Sequence, residues 1–140
     1  MRLWHYELIP YLPKSQLIAQ WRELNSIYKN QPKHILINYV YDYPKWDLFS
    51  YSRMVIFELE KRNYNIKSMK NFDNYFGFMI TNKDYIPFPN HHNDRYLIQC
   101  YFNLQEKYDR GQKDFTKQEM MKIQSLIRDE IGIPILEINK

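Results

Sequence analysis

The stretch Lys14–Tyr28, KSQLIAQWRELNSIY, decides the fold class. Leu17, Trp21, Leu24 and Tyr28 recur at spacings of three and four, Ile18 stands beside them, and polar residues fill the other face. That period is the signature of an amphipathic helix with one buried side. Pro13 suits its first turn, because a proline there loses no intrahelical donor. Working outward, the pattern repeats. Leu48, Tyr51, Val55 and Leu59, with Met54 and Phe57 beside them, predict a second helix from Asp47, as N-cap, to about Asn63. Asn93 or Asp94 is expected to cap a third, reaching Lys107, with Leu97, Cys100, Tyr101 and Leu104 on its apolar side. The fourth carries the strongest signals. Thr116 and Glu119 form a T-x-x-E capping box, Met120, Ile123, Leu126, Ile127 and Ile131 make the stripe, and Gly132 followed by Pro134 ends it.

Between Lys70 and Asn90, Phe72, Tyr75, Phe76, Phe78, Tyr85 and Phe88 crowd a segment broken by Gly77, Pro87 and Pro89. It reads as an aromatic-rich loop packed on the helices. Three glycines in 140 residues are few for the tight turns of an all-β fold. The expectation is a mainly α chain, a single compact helical domain over residues 1–140 with about four helices.

Composition narrows the class further. With 44% hydrophobic and 26% charged residues, a chain of this length has enough core to fold without a metal or disulfide staple. Cys100 is the sole cysteine, so an internal cystine and a cysteine-based zinc site are excluded. No apolar run reaches the roughly 20 residues of a membrane span, and the opening Met1–Tyr11 carries Arg2, His5 and Glu7 where a signal peptide needs an apolar core. A cytoplasmic protein is expected. The net charge of +4 is uneven. Residues 1–70 hold eleven basic and six acidic groups, and residues 71–140 hold nine and ten. With a pI near 9.0, a basic N-terminal half suits a polyanion, nucleic acid above all, or simply a solvated basic surface.

Common catalytic signatures are missing: there is no G-x-G-x-x-G, G-x-x-x-x-G-K-[ST], H-E-x-x-H or G-x-S-x-G. The adjacent His91 and His92 lack a third ligand at a telling spacing and fit a loop or helix start touching solvent or phosphate better than a metal. Cys100, on an apolar stripe, reads as a buried thiol. Aromatic residues make up 17% of the chain, which suits base stacking among cations, or a core rich in rings. Glu23 lies between Trp21 and Leu24 at the border of the buried stripe. A carboxylate there is held in a cleft, or serves an ordinary solvent or helix-pairing role.

Several colinear segments carry a resemblance. Gln16-Leu17-Ile18-Ala19-Gln20-Trp21-Arg22-Glu23-Leu24 is similar to the Q-H-L-M-A-E-Y-R-E-L helix of the phage-type pyrimidine-dimer DNA glycosylase family, also called endonuclease V. Lys33-His34 matches its K-H pair, and Glu58 to Ile66 resembles E-C-L-K-R-G-F-N-I. Asp84-Tyr85-Ile86-Pro87 matches D-Y-I-P, and Leu104-Gln105-Glu106-Lys107 resembles L-D-E-K. The similarity spans roughly residues 8 to 107. The opening Met1-Arg2-Leu3-Trp4-His5-Tyr6 looks like a bacterial branch of the family.

The resemblance implies an all-helical domain that binds damaged double-stranded DNA as a monomer. It implies an N-glycosylase and abasic-site lyase whose N-terminal amine attacks the sugar at C1′, with no metal or other cofactor. The essential carboxylate falls at Glu23, and Arg22 falls at a DNA contact. Lys33 and His34, Lys61 and Arg62 on the second helix, and Arg2 beside the amine are expected to neutralise phosphates. An α-amine, with a pKa of about 7.7 to 8, is roughly a quarter to two fifths neutral at pH 7.5, against about 0.1% for a lysine. The sequence departs from the family in three places. Arg2 is too large for the usual aminopeptidase, so Met1 is expected to remain as the nucleophile where family members expose a threonine. Ser26 and Gln16 stand where the pattern has arginine and histidine. Two alternatives belong to other classes: a non-catalytic duplex-binding domain on the same scaffold, and a helical protein-interaction module docking through its aromatic loop.

Overall fold

The computed structural model describes residues 1–132 of the 140. Among them it contains five α-helices: α1 (Lys14–Asn30), α2 (Lys45–Lys61), α3 (Lys70–Phe76), α4 (Asp94–Asp109) and α5 (Lys117–Ile131). Two 3-10 helices, Tyr6–Tyr11 and Asn38–Asp42, lie before α1 and α2. The mainly helical expectation holds, and each of the four expected helices is present.

The helix ends follow local chemistry, with one exception. Thr116 and Glu119 close the capping box at the start of α5, Gly132 ends it in a positive-φ conformation, and the Asn93 side chain accepts from the Tyr96 N–H at the start of α4. Pro134 lies outside the described residues. The exception is Asp47. It is the third residue of α2, and Pro44 holds the cap position. The Asp47 carboxylate is buried and turned away from the helix end, accepting from the Tyr85 hydroxyl at 2.8 Å and the buried Phe88 N–H at 2.9 Å. A short polar side chain in the first turn signals a cap equally well in both roles, so the sequence could not separate them.

The aromatic segment after Lys70 also departs from expectation, because its first part is helical. Phe72, Tyr75 and Phe76 recur at three and four and pack their rings on Tyr28 of α1, with Phe72 and Phe76 also against Phe49 of α2. Gly77, at φ 62°, stops α3 where a side chain would be strained. Beyond it Phe78 and Ile80 are exposed, while Phe88 is fully buried.

The buried side chains form one continuous core. α1 packs on α2 and α3, and α4 packs on α5. Leu17, Leu24, Ile27 and Tyr28 of α1 meet Leu48, Val55 and Leu59 of α2 within that core, while Leu97, Cys100, Tyr101 and Leu104 turn inward from α4. Cys100 is a free, buried thiol. Among the described residues no helix is long and apolar enough to cross a membrane.

Residues Met1–His5 form no regular element, yet Leu3, Trp4 and His5 are buried. Among the described residues no strand lies beside this segment, so its buried backbone groups find side-chain partners. These partners build the site.

Asp47→Ala leaves the Phe88 N–H buried without an acceptor. Urea denaturation is expected to show a loss of about 2 to 3 kcal/mol; an unchanged midpoint would mean that the Tyr85–Phe88 segment is held by something else.

Candidate active site

Gln20 sits on the buried face of α1, fully enclosed. Its Oε1 accepts from the Trp4 N–H at 2.8 Å, and its Nε2 donates to the Arg2 carbonyl at 2.9 Å. The amide thus takes the place of a neighbouring strand. The same Nε2 donates to Glu23 Oε2 at 3.1 Å, one helical turn further on. Tyr51 of α2 donates to the Trp4 carbonyl at 2.6 Å and to Gln20 Oε1 at 3.0 Å, and Tyr96 of α4 donates to the Leu3 carbonyl. Three helices therefore grip one short piece of backbone.

The Arg2 N–H completes the arrangement by donating to Glu23 Oε2 at 3.3 Å. The chain advances at most about 3.6 Å per residue, so the Met1 amine lies within about 7 Å of that carboxylate. Glu23 is half-buried. Loss of water raises its pKa above the ordinary carboxylate value, against the lowering pull of the Arg2 N–H, the N-terminal charge, Gln20 and Arg22. Met1 is exposed and Arg2 half-exposed. An acid short of water beside a primary amine, open to solvent on one side, is an arrangement suited to proton transfer at an attached carbonyl carbon.

The other basic residues divide. Arg22 is exposed next to Glu23. Lys33 and His34 are exposed just beyond α1, where His34 Nδ1 accepts from the Leu36 N–H at 3.2 Å. Lys61 lines a separate groove with Tyr6, Arg53, Phe57 and Ile80. Arg62 is committed internally: its guanidinium meets Glu58 at 2.8 Å and donates to the carbonyls of Leu12 at 2.7 Å and Pro10 at 3.1 Å. That cation ties the entry of α1 to the end of α2.

His92 corrects the solvent-facing expectation for the histidine pair. It is buried, its Nδ1 accepts from the Tyr6 N–H at 3.2 Å, and its Nε2 lies 2.7 Å from the Tyr39 hydroxyl. An accepting Nδ1 fixes the neutral tautomer with Nε2–H donating. His5, also buried, uses Nδ1 to accept from the Glu7 N–H at 3.1 Å. Burial holds His5 down at about 4 and, together with the charges of His5 and His91, holds His92 down at about 2. His91 stacks on Tyr39 with ring centroids 3.5 Å apart. Many aromatic rings are buried in the core or packed against it, whereas Trp46, Phe57, Phe78 and Phe102 are exposed. Among the described residues no group of three or more His, Cys, Asp or Glu is arranged to hold a metal ion.

Gln20, Tyr51, Tyr96, His5 and His92 are site-building residues that reading the sequence missed. Gln20 did leave a trace, since it stands three after Leu17 and four before Leu24, a polar residue in register with the buried stripe.

A family model described as pyrimidine dimer DNA glycosylase matches residues 1–72 of the chain. The matched segment contains Met1, Arg2, Gln20, Glu23 and Tyr51 and ends before α4, which supplies Tyr96. No curated protein and no solved structure matches the chain.

Two measurements check the arrangement. Gln20→Leu strips the buried Trp4 N–H of its acceptor and is expected to lower stability by about 1 to 3 kcal/mol in urea denaturation. The two buried histidines are neutral when folded and charged when unfolded below pH 6.5, so they weaken the fold as pH falls, His5 down to about 4 and His92 to about 2. Together they approach about 2.7 kcal/mol per pH unit inside that window. Glu7 and Glu23, with raised values, act in the opposite sense: their contribution is present at low pH and lost as pH rises through their folded values. His92→Gln should roughly halve the histidine slope between pH 6 and 4, and an unchanged slope would show that His92 is charged in the folded protein.

Proposed function

The chain belongs to the pyrimidine dimer DNA glycosylase family, and from that premise we propose that it is a repair N-glycosylase and abasic-site lyase working through the Met1 amine. The observation that carries the proposal is the hydrogen bond from the Arg2 N–H to Glu23, which keeps the amine and the carboxylate within about 7 Å of each other.

The chemistry runs in two stages. The Met1 nitrogen lone pair attacks C1′ of the damaged nucleotide, and the electron pair of the C1′–N bond leaves with the base, which takes up a proton. The C1′–O4′ bond then breaks as the nitrogen forms a C1′ iminium and O4′ is protonated. A C2′ proton is removed next, its electrons form the C2′–C3′ double bond, and the C3′–O pair departs with the 3′ phosphate. Glu23 serves as the proton carrier and, ionised, faces the positive charge on C1′ and the iminium nitrogen. Burial raises the proton affinity of this carboxylate, which suits it to taking a proton as well as giving one. Lesions unstack at lower cost than intact pairs, which favours extrusion at damage.

Double-stranded DNA is the partner in this proposal. Arg2, Arg22, Lys33, His34 and Lys61 are the phosphate contacts, and Arg62 contributes as a structural cation. The protein acts as a monomer in the cytosol, without a metal or organic cofactor.

The test is incubation with an abasic-site duplex and borohydride, which reduces the iminium to a stable amine. A covalent adduct mapping to the peptide that begins with Met1 is expected. N-terminal acetylation should remove it, and Glu23→Gln should slow strand cleavage about a hundredfold or more. An adduct mapping to a lysine overturns the assignment of Met1. No adduct, with salt-dependent duplex binding retained, overturns the lyase in favour of a non-catalytic binding domain.

A further inference from the structure

Beside the N-terminal segment lies a cleft of about 290 Å³ that the lyase chemistry does not use. Arg2, His91, Arg95 and Gln99 line it together with the apolar Ile35 and Leu36. The cations arrive from two unrelated parts of the chain. Arg2 comes from the gripped N-terminal segment, and Arg95 from the first turn of α4, where helix N–H groups also favour an anion. Arg2 lines the cleft beside Tyr96, and its charge reaches Tyr39, Tyr96 and Cys100. Asp94, exposed on the same helical turn, does not line the cleft.

The Arg95 guanidinium makes no hydrogen bond or ion pair to any described residue, in contrast with those of Arg62 and Arg110, which meet Glu58 and Glu106. The space is ample for a phosphodiester group with water, each water taking about 30 Å³. Ile35, 85% exposed, is an apolar surface of the kind a deoxyribose face covers. Position supplies the rest. Arg2 touches Glu23 through its backbone while its side chain faces the cleft, so one residue joins the two.

We infer that this cleft binds a DNA backbone phosphate next to the attacked sugar, with Arg2 and Arg95 as the charged contacts and His91 as a neutral donor. The inference rests on the reading of the protein as a DNA lyase and gives Arg2 a definite task. The side chain that prevents removal of Met1 is also the one that anchors the strand beside the amine.

The test is a cycle of protein and DNA changes measured by duplex binding. Wild type and Arg95→Gln are titrated with an abasic-site duplex carrying a neutral methylphosphonate 3′ to the site, 5′ to it, or six nucleotides away. For wild type, neutralising one flanking phosphate should weaken binding about tenfold, and neutralising the distant one should not reproduce that coupling. Arg95→Gln should weaken the unmodified duplex about tenfold and lower the salt slope by about one, and the sensitive flanking substitution should then add little. Arg95→Lys should recover part of the loss, and the 3′ and 5′ arms show which phosphate is held. Purely additive losses, or an Arg95→Gln protein with unchanged affinity and salt slope, overturn the cleft. Borohydride trapping of wild type is scored separately, so a protein that forms no adduct but shows the coupling keeps the phosphate site and loses the lyase. Arg95 is exposed, and an unchanged melting temperature for Arg95→Gln establishes that the comparison is between folded proteins.

Discussion

The architecture depends on the side-chain amide of Gln20 acting as a stand-in strand. Residues 2–4 run without regular structure into a helical core, where unpartnered backbone groups would cost about 1 to 3 kcal/mol each. Gln20 supplies both a donor and an acceptor, and Tyr51 and Tyr96 take the two carbonyls beyond its reach. These bonds tie α1, α2 and α4 to one piece of chain, so the position of the first residue follows from the packing of the helices. In a small protein the first residues usually fray; here they are a structural element.

The arrangement brings an electrostatic cost and uses it. Filling the space between α1, α2 and α4 with polar side chains requires that each be satisfied, and His92, His5 and Gln20 all are. Keeping the histidines neutral puts no net charge under the N-terminal segment. Glu23 is then the carboxylate that the amine and Arg2 face, and partial burial keeps its proton affinity high.

How much was legible in the sequence depended on whether a signal was local. The α5 capping box and the α1 stripe were readable because their partners lie within four residues. Glu23 stood out at the edge of a stripe for the same reason, although its neighbours could not be known. Asp47 and His92 were misjudged because what they bind lies far along the chain, Tyr85 at 38 residues and Tyr39 at 53, and the internal bond of Arg62 to Leu12 spans 50 residues and was equally out of sight. α3 was hidden because a seven-residue helix crowded with rings has the composition of a packed loop, and the rings that cover its face, Tyr28 and Phe49, come from other helices. The aromatic content was ambiguous in the same way, since ring count does not say which rings are covered.

Because the hydrogen bonds to residues 2–4 are made to backbone atoms, they fix where the chain begins without reading the side chain of its first residue. Exchanging the exposed Met1 side chain leaves every one of those bonds in place. A residue inserted between Met1 and Leu3 would shift what precedes it by about 3.4 Å while Leu3 and Trp4 stay in the core. An uncleaved leader tag ahead of Met1 would likewise leave those bonds in place and carry the free amine away from Glu23, so a tagged protein would keep its fold and separate the two groups.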